Sequence, residues 1–337
     1  MRVLVLTTSY PQDEDDISGT FVAATVASLR ARGVDVEVVS PADFRHHGLA
    51  RPPGIPARVL HRPWRALLLP SLLVSFRRAA ARGARGADIV HAHWLGAGAV
   101  AATLGKPYVL QVHGTDLVLG RRLPRLARPV LRRAAVVLAG SDALAADARA
   151  LGARDVRVVP TGVPIPREVV PPQEPPHILF VGRLSEEKGV LELAEAARGL
   201  PLVVAGSGHL ASRIHGAVGP VPPRELGSFY ERAAIVAVPS RREGYGLVAR
   251  EAMAYGRAVV ASAVGGLLEA IEDDVTGVLV PPLDVPALRR ALEELLADAD
   301  RRARLGAAAR AHAVGHFSRD AEADALLSVY TEVAARS

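Results

Sequence analysis

Short apolar runs alternate with amphipathic stretches through the first half of this 337-residue chain. Arg2–Thr7, Val34–Ser40, Asp88–His93, Tyr108–Val112, Ala135–Ala139 and Val156–Val159 have the length and apolar content of strands. Between them the spacing predicts helices. Thr20–Arg32 stops at Gly33, and Asp142–Leu151 has Ser141 as N-cap and Gly152 beyond its end. Strands alternating with helices predict a parallel sheet covered by helices on both faces.

Residues 164–176 hold six prolines in thirteen positions, which suits neither a helix nor a central strand and predicts an extended linker. The alternation then restarts. Strands are predicted over His177–Val181, Leu202–Ala205, Ala234–Pro239, Ala258–Ser262 and Val278–Val280, and helices over Glu186–Arg198, Pro222–Arg232 and Gly246–Tyr255. A helix-only tail of roughly Val285–Ala335 follows. The predicted fold class is therefore α/β, with two tandem Rossmann-like doubly wound domains: 1–163, the Pro-rich linker 164–176, and 177–317, with a last helix in 318–337. Ligands of such sheets bind at the carboxyl ends of the strands, and two such domains facing each other would place the site in the cleft between them.

A hydrophobic content of 50% supports two cores of ordinary size, and no apolar run reaches membrane-span length. The start of the chain is too short an apolar run for a signal peptide and reads as a first buried strand. Cytoplasmic residence is the expectation. The chain has no cysteine, which excludes disulfides, thiol catalysis and cysteine metal sites. Charge is uneven: residues 1–165 carry 22 Lys+Arg against 12 Asp+Glu, a balance of +10, and the remainder 19 against 23, a balance of −4, summing to the overall +6. Such a basic half suits an anionic partner (lipid surface, acceptor or nucleic acid), with an arginine-rich coding bias as the alternative. Within it, the apolar segment Leu67–Phe76 lies between Arg62 and Arg65 on one side and Arg77, Arg78, Arg82 and Arg85 on the other. That is the pattern of an amphipathic helix on anionic lipid, or of a helix covering the sheet with a basic outer face. With 4% aromatic residues and no groove-reading motif, nucleic acid is not an expected partner.

Candidate chemistry gathers in the second half. Glu243 and Glu251 frame Gly244-Tyr245-Gly246-Leu247, a glycine-rich turn opening a helix. A helix N-terminus favours an anion, and eight helical residues rise about 12 Å, so the two carboxylates suit the two ends of a phosphate-centred ligand. The alternative is a surface helix that happens to carry two glutamates. Arg183 and Lys188, in Gly182–Gly189, sit at the end of a strand, and a guanidinium fork with an ammonium suits a diphosphate. Lys188 is one of only two lysines, the other being Lys106. Gly206-Ser207-Gly208 and Gly265-Gly266 are further glycine turns at strand ends, where backbone comes close to something on that edge.

In the first half, His113-Gly114-Thr115-Asp116 follows a strand. His113 there suits a hydrogen bond to a sugar or leaving group, against the plainer reading of a structural histidine, while Asp116 orients it or closes an Asx turn. His91 and His93 share a strand face, but no further ligand is placed for a metal. Gly96-Ala97-Gly98-Ala99-Val100-Ala101 imitates a dinucleotide fingerprint, with Asp116 twenty residues on, but it follows the third strand in an Ala/Gly-rich stretch where chance matches are expected.

Taken together, these residues resemble the retaining glycosyltransferases of family 4, with the glycosyltransferase B architecture. The likeness covers nearly the whole chain. It is strongest over 177–282, through Val181-Gly182-Arg183-Leu184, Lys188-Gly189, Gly206-Ser207-Gly208, Glu243/Glu251 and Val264-Gly265-Gly266. It continues through Ile89–His93, His113–Asp116 and Val159–Val163. The resemblance implies a nucleoside diphosphate sugar donor, a sugar- or lipid-linked acceptor from polysaccharide or glycolipid synthesis, and no metal or other cofactor. It implies that Arg183 and Lys188 hold the diphosphate, Glu251 the ribose and Glu243 the transferred sugar. Gly182, Gly206, Gly208 and the backbone of Gly244, Tyr245, Gly246 and Leu247 would lie along the donor. His113 would contact the donor sugar from the opposite domain, Gly19 would let the first loop approach, and Ser18, Thr20, His93 and Asp116 would lie on the acceptor side. The helix from about Ser318 would return to the first domain. Catalysis would rest on His113, Arg183, Lys188 and Glu243. Peripheral contact with the inner face of an anionic membrane through the basic half is a further expectation. Two departures stand out: Ser18-Gly19-Thr20 where relatives often have paired glycines, and Thr161 where asparagine is usual. The alternatives are a nucleotide-sugar epimerase or phosphorylase on the same fold, or a non-catalytic partner binding an anionic surface.

Overall fold

The computed structural model describes residues 1–13, 15–50 and 54–336, apart from the side chains of Pro56 and Ala57. The chain divides into two units, one of Met1–Pro160 with the chain from Glu322 onward, the other of Thr161–Ala321.

The first unit is built on strands β1 (Arg2–Leu6), β2 (Asp35–Val39), β3 (Ile89–His93), β4 (Tyr108–Val112), β5 (Val136–Ala139) and β6 (Val156–Val158). They form one parallel sheet in the order β2-β1-β3-β4-β5-β6. All of β3 and β4 is buried, as expected of strands covered on both sides. Strand alternation sorts the core into two layers. Leu4, Leu6, Val90 and Leu110 meet Phe76 and the helices on one face, while Val3, Val5, Ile89 and Val109 meet helix Thr20–Ala31 and Tyr330 of helix Arg319–Ala335 on the other.

The second unit repeats the plan with β7 (Ile178–Val181), β8 (Leu202–Ala205), β9 (Ala217–Gly219), β10 (Ile235–Val238), β11 (Ala258–Ser262) and β12 (Val278–Val280), all parallel. Their order is β12-β11-β10-β7-β8-β9. Ile178, Phe180, Ile235 and Val260 pack with helix Val285–Ala297 on one face. Leu179, Val236 and Val259 pack with helices Leu247–Ala254 and Ala299–His316 on the other. The α/β class with two Rossmann-like domains is thus what the chain forms.

One local expectation needs correction, one strand was not foreseen, and the helix-only tail is borne out with its breaks now located. Glu186–Arg198 is not one helix but a 3-10 turn, Glu186–Lys188, then helix Val190–Ala196. Gly189 breaks it: at φ 67° its hydrogen faces the carbonyl of Pro239, which a Cβ would approach to 1.9 Å. Edge strand β9 is partly exposed and carries no apolar alternation to announce it. The helical tail is three helices, broken where the Asp298 side chain caps Ala299–His316 and again before Arg319. Ser337, the end of the stretch expected as the last helix, lies outside the described residues. No helix among the described residues is long and apolar enough to cross a membrane.

The dinucleotide-like Gly96–Ala101 lies within helix Trp94–Ala101, and its second glycine is a packing residue. A Cβ on Gly98 would sit 2.8 Å from Leu110 and 2.9 Å from Val130, whereas one on Gly96 would meet nothing. Gly98→Ala is expected to destabilise the first unit by about 1–3 kcal/mol through overpacking. Gly96→Ala should stabilise it by roughly 0.5–1 kcal/mol through helix propensity. Denaturant midpoints of the two variants check this; equal effects would remove the packing explanation.

Candidate functional site

In the second unit the chain leaves β7 toward β8 and β9 on one side, and β10 toward β11 and β12 on the other. The loops after β7 and β10 therefore flank the point where strand order reverses, the place where open α/β sheets take ligands. Lys188 comes from the first loop and Glu243 from the second. Across 55 positions of sequence, Lys188 Nζ donates to Glu243 Oε2 at 2.6 Å, and Ser240 Oγ donates to the same oxygen at 3.1 Å. The Lys188 side chain is 29% exposed and that of Glu243 14%, so the pair is screened only in part and a ligand can still reach both.

What brings the loops together is backbone contact. Beyond Gly189 on Pro239, a Cβ on Gly265 (φ 49°) would lie 2.0 Å from the Glu243 carbonyl, to which the Gly266 N–H donates at 3.0 Å. Gly206 and Gly208 meet the carbonyls of Gly182 and Leu184 in the same way. The close partner foreseen for these turns is thus, in the first place, the neighbouring loop. Arg183 is exposed, and among the described residues nothing hydrogen-bonds its guanidinium.

The helix after β10 begins at Leu247, with Gly246 (φ 79°) before it. Glu243–Gly246 is loop, so a continuous helical rise does not set the spacing between the two glutamates. No side chain caps this helix and no acidic residue occupies its first turn, which leaves its N–H groups and dipole available to an anion. The Tyr245 side chain is committed inward. Its hydroxyl donates to the Thr161 carbonyl, and its ring lies 3.9 Å from the Arg250 guanidinium, which also stacks on Phe317 at 4.5 Å. The Tyr245 hydroxyl and ring are thus held by Thr161 and Arg250. Glu251 lies one turn further along the helix from Leu247, and Tyr230 Oη donates to its Oε2 at 2.7 Å. Burial pushes this carboxyl above the ordinary range, while Tyr230 and the charge of Arg319 pull it back.

In the first unit His113 follows β4, and Asp116 ties two loops together. The N–H groups of His113 and Leu95 donate to its two oxygens at 2.8 and 2.9 Å. Asp116 thus closes the turn through the backbone of His113. Burial lifts its carboxyl to about 7 against those hydrogen bonds. His91, His93 and His113 form a file, with ring centroids 4.4 and 5.8 Å apart. Trp94 and Phe21 lie 4.6 and 5.2 Å from His113. Tyr330 Oη pairs with His91 Nδ1 at 2.6 Å, whereas His93 Nδ1 and His113 Nε2 are buried without a hydrogen-bond partner among the described residues. Burial depresses His91 and His113 to about 3 and His93 well below its usual value, so all three are neutral at pH 7. Ser18, Gly19 and Thr20 lie at the start of helix Thr20–Ala31. Gly19 (φ 67°) is wedged against the Ser9 carbonyl, and the Ser18 N–H donates to Asp16 at 2.8 Å.

Sequence reasoning passed over Tyr230 and Arg250, whose partners are distant in the chain, Ser240, and Trp94. The last occupies a left-handed conformation (φ 69°) at the end of β3, a strained placement for a bulky residue that often marks a site. Nothing short of its backbone angle would have revealed it.

Residues 164–312 match the family described as glycosyl transferases group 1, and residues 18–167 match glycosyltransferase family 4. A D-inositol 3-phosphate glycosyltransferase of Xylanimonas cellulosilytica is 36% identical over 387 aligned positions, covering 94% of this chain and 91% of that one. The enzyme so named from Nocardia farcinica is 32% identical, with 92% and 83% covered. Among solved structures, sucrose-phosphate synthase of Thermosynechococcus elongatus matches at TM-score 0.81, 24% identity and full coverage of both chains. HepE of Anabaena, solved with UDP-glucose, matches at TM-score 0.73 and 19% identity, covering 98% of this chain and all of that one.

Two titrations test these environments. The imidazoles of His91, His93 and His113 should show no protonation by NMR between about pH 5 and 8, where an unperturbed histidine titrates. Their depressed pKa values add stability that is present above the unfolded value of 6.5 and lost as pH falls toward about 3. Asp116 runs the other way, its ionisation costing stability as pH rises from 3.8 through about 7. An imidazole midpoint near the unperturbed value would contradict the burial assigned here. In the second unit, Tyr230→Phe removes the hydrogen bond that favours the charged carboxylate and should move the Glu251 titration to still higher pH. An unchanged Glu251 carboxyl resonance profile would show that Tyr230 does not hold it.

Proposed function

The chain belongs to the glycosyl transferases group 1 family, and from that premise we propose that this glycosyltransferase moves a sugar from a nucleoside diphosphate sugar to a hydroxyl acceptor with retention of anomeric configuration. The observation that carries the reading is the meeting of Lys188 and Glu243 at the strand-order reversal, beside an uncapped helix N-terminus. The capture of UDP-glucose by HepE, on the same fold, agrees with such a donor.

In this reading Arg183 and Lys188 hold the diphosphate, and the N–H groups from Tyr245 onward join them. Glu251, its far oxygen already taken by Tyr230, offers the other to the ribose hydroxyls. Glu243 meets the hydroxyls of the transferred sugar, and His113, being neutral, offers a hydrogen bond rather than a charge. As the bond from the anomeric carbon to the diphosphate breaks, negative charge grows on the leaving oxygen, where fixed cations and helix N–H groups stabilise it. No metal is called for in this scheme. Glu243 is engaged with Lys188 and Ser240 and is poorly placed as a covalent nucleophile. The acceptor oxygen therefore attacks from the face the diphosphate leaves, and its proton passes to the departing phosphate oxygen.

For the acceptor we favour a sugar- or lipid-linked precursor of a polysaccharide or glycolipid. A second reading, a phosphorylated small polyol, is favoured by the relatives named for D-inositol 3-phosphate.

Donor binding is tested by thermal shift with UDP, GDP and ADP sugars, where a ligand at 100 times its Kd adds about 2.7 kcal/mol. The shift should vanish in Glu251→Ala. Arg183→Ala and Lys188→Ala should each lower turnover about 10²–10³-fold, and EDTA should leave it unchanged. If both variants stay within a few-fold of the parent, the assignment fails. Product analysis with D-inositol 3-phosphate and with lipid-linked sugars separates the acceptor readings, and the anomer formed decides retention.

A further inference from the structure

The basic character of the first unit is concentrated. From Phe44 to Ala87 the chain has nine arginines and no aspartate or glutamate. Within this stretch helix Leu69–Gly83 already meets the needs of the core, burying Leu72, Phe76, Ala79, Ala80 and Gly83 against the sheet. Core packing therefore does not account for the apolar side chains that remain outside. Leu67 is 82% exposed, Leu60 75% and Trp64 59%, and Leu73 and Val74 stay open on the helix itself. On that helix Val74, Arg78 and Arg82 fall at i, i+4 spacing, so apolar and basic groups share one outward stripe, and Arg85 is exposed in the turn just beyond the helix end. Among the described residues, none of Arg62, Arg65, Arg78, Arg82 and Arg85 forms an ion pair. Arg65 instead lies 5.6 Å from the Trp64 ring.

We propose that residues 60–85 form a docking surface for an anionic lipid bilayer, with Leu60, Trp64 and Leu67 entering the boundary between headgroups and acyl chains and the arginines meeting lipid phosphates. Two signals are combined here, apolar insertion and a polybasic patch, and stable anchoring at a membrane surface takes two. Tryptophan beside arginine suits the headgroup level, where the ring is half wet. Charge alone would equally suit nucleic acid, but phosphate backbone offers nothing to Leu60 and Leu67, whereas a bilayer removes both from water. A lipid also explains why the patch is acid-free, since any carboxylate at that depth would oppose the leaflet's charge. The surface is independent of the transfer reaction and stands or falls on its own measurements.

The test uses the full chain with vesicles of phosphatidylcholine alone and of phosphatidylcholine with phosphatidylglycerol. Co-sedimentation is expected with the anionic vesicles only, weakening as salt is raised. Leu67→Glu and Trp64→Ser should each weaken it roughly tenfold or more, and Arg78→Glu with Arg82→Glu should do the same. Trp64 emission should shift to the blue with anionic vesicles, a shift absent from Trp64→Phe. Because these positions are exposed, the variants should keep the parent's thermal midpoint and its turnover on a soluble acceptor. No binding to anionic vesicles, or binding indifferent to Leu67→Glu, would overturn the proposal. So would tight duplex DNA binding that Leu67→Glu leaves intact, or a parent dimer that Leu67→Glu makes monomeric without any vesicle binding.

Discussion

At the carboxyl edge of the second sheet, peptide groups of successive loops touch at distances that leave no room for a Cβ. Gly189 rests on Pro239, Gly206 on Gly182 and Gly265 on Glu243, each with a positive φ. The candidate site depends on these contacts, because they fix where the Lys188 and Glu243 side chains start. A side chain at any of the three would clash with backbone, which cannot swing aside as a flexible side chain can. The ion pair that results is modest in energy, being partly exposed, but well defined in position. Position is what a site for a charged leaving group requires, since donors fixed beforehand need no reorganisation as the charge develops.

The first unit achieves fixity by burial instead. Asp116 joins the chain segments that follow β3 and β4, and it does so inside the protein, where two backbone N–H groups compensate for lost water. The same dry surroundings hold three stacked imidazoles uncharged and leave nitrogen atoms of His93 and His113 without partners. Unmet hydrogen-bonding capacity in a buried ring is costly, and here it lies beside Trp94, whose left-handed backbone is itself strained. Each unit, taken by itself, thus fixes its polar groups by a different means: backbone contact between loops in the second, burial in the first.

How much could be read in advance varied with how local the cause was. Tyr108–Val112, Leu202–Ala205, Ala258–Ser262 and Val278–Val280 occur at the predicted bounds because continuous apolar runs between turn residues leave a buried strand little choice. Ser141 caps its helix as expected, its hydroxyl accepting from Leu144. The helix foreseen over Glu186–Arg198 was interrupted because Gly189 answers to Pro239, fifty residues away. Arg250, which sequence reasoning passed over, is 2% exposed between two aromatic rings. Neither outcome has a local signature.

By itself, then, the sequence determined the parallel α/β class, the division into two units and the residue types at the strand ends, since these follow from periodicity, turn chemistry and the limits of proline and glycine. Only the tertiary structure decided which of those residues meet. Lys188 with Glu243, Tyr230 with Glu251, Asp116 with Leu95 and Tyr330 with His91 are pairings across 55, 21, 21 and 239 positions. Strand order, loop length and burial bring each of them about, and so does the depression of the imidazole pKa values, which depends on a dry environment that no single stretch of chain contains. The physical reason is that periodicity reports which face of an element is buried, whereas the identity of what it is buried against is a property of the assembled sheet.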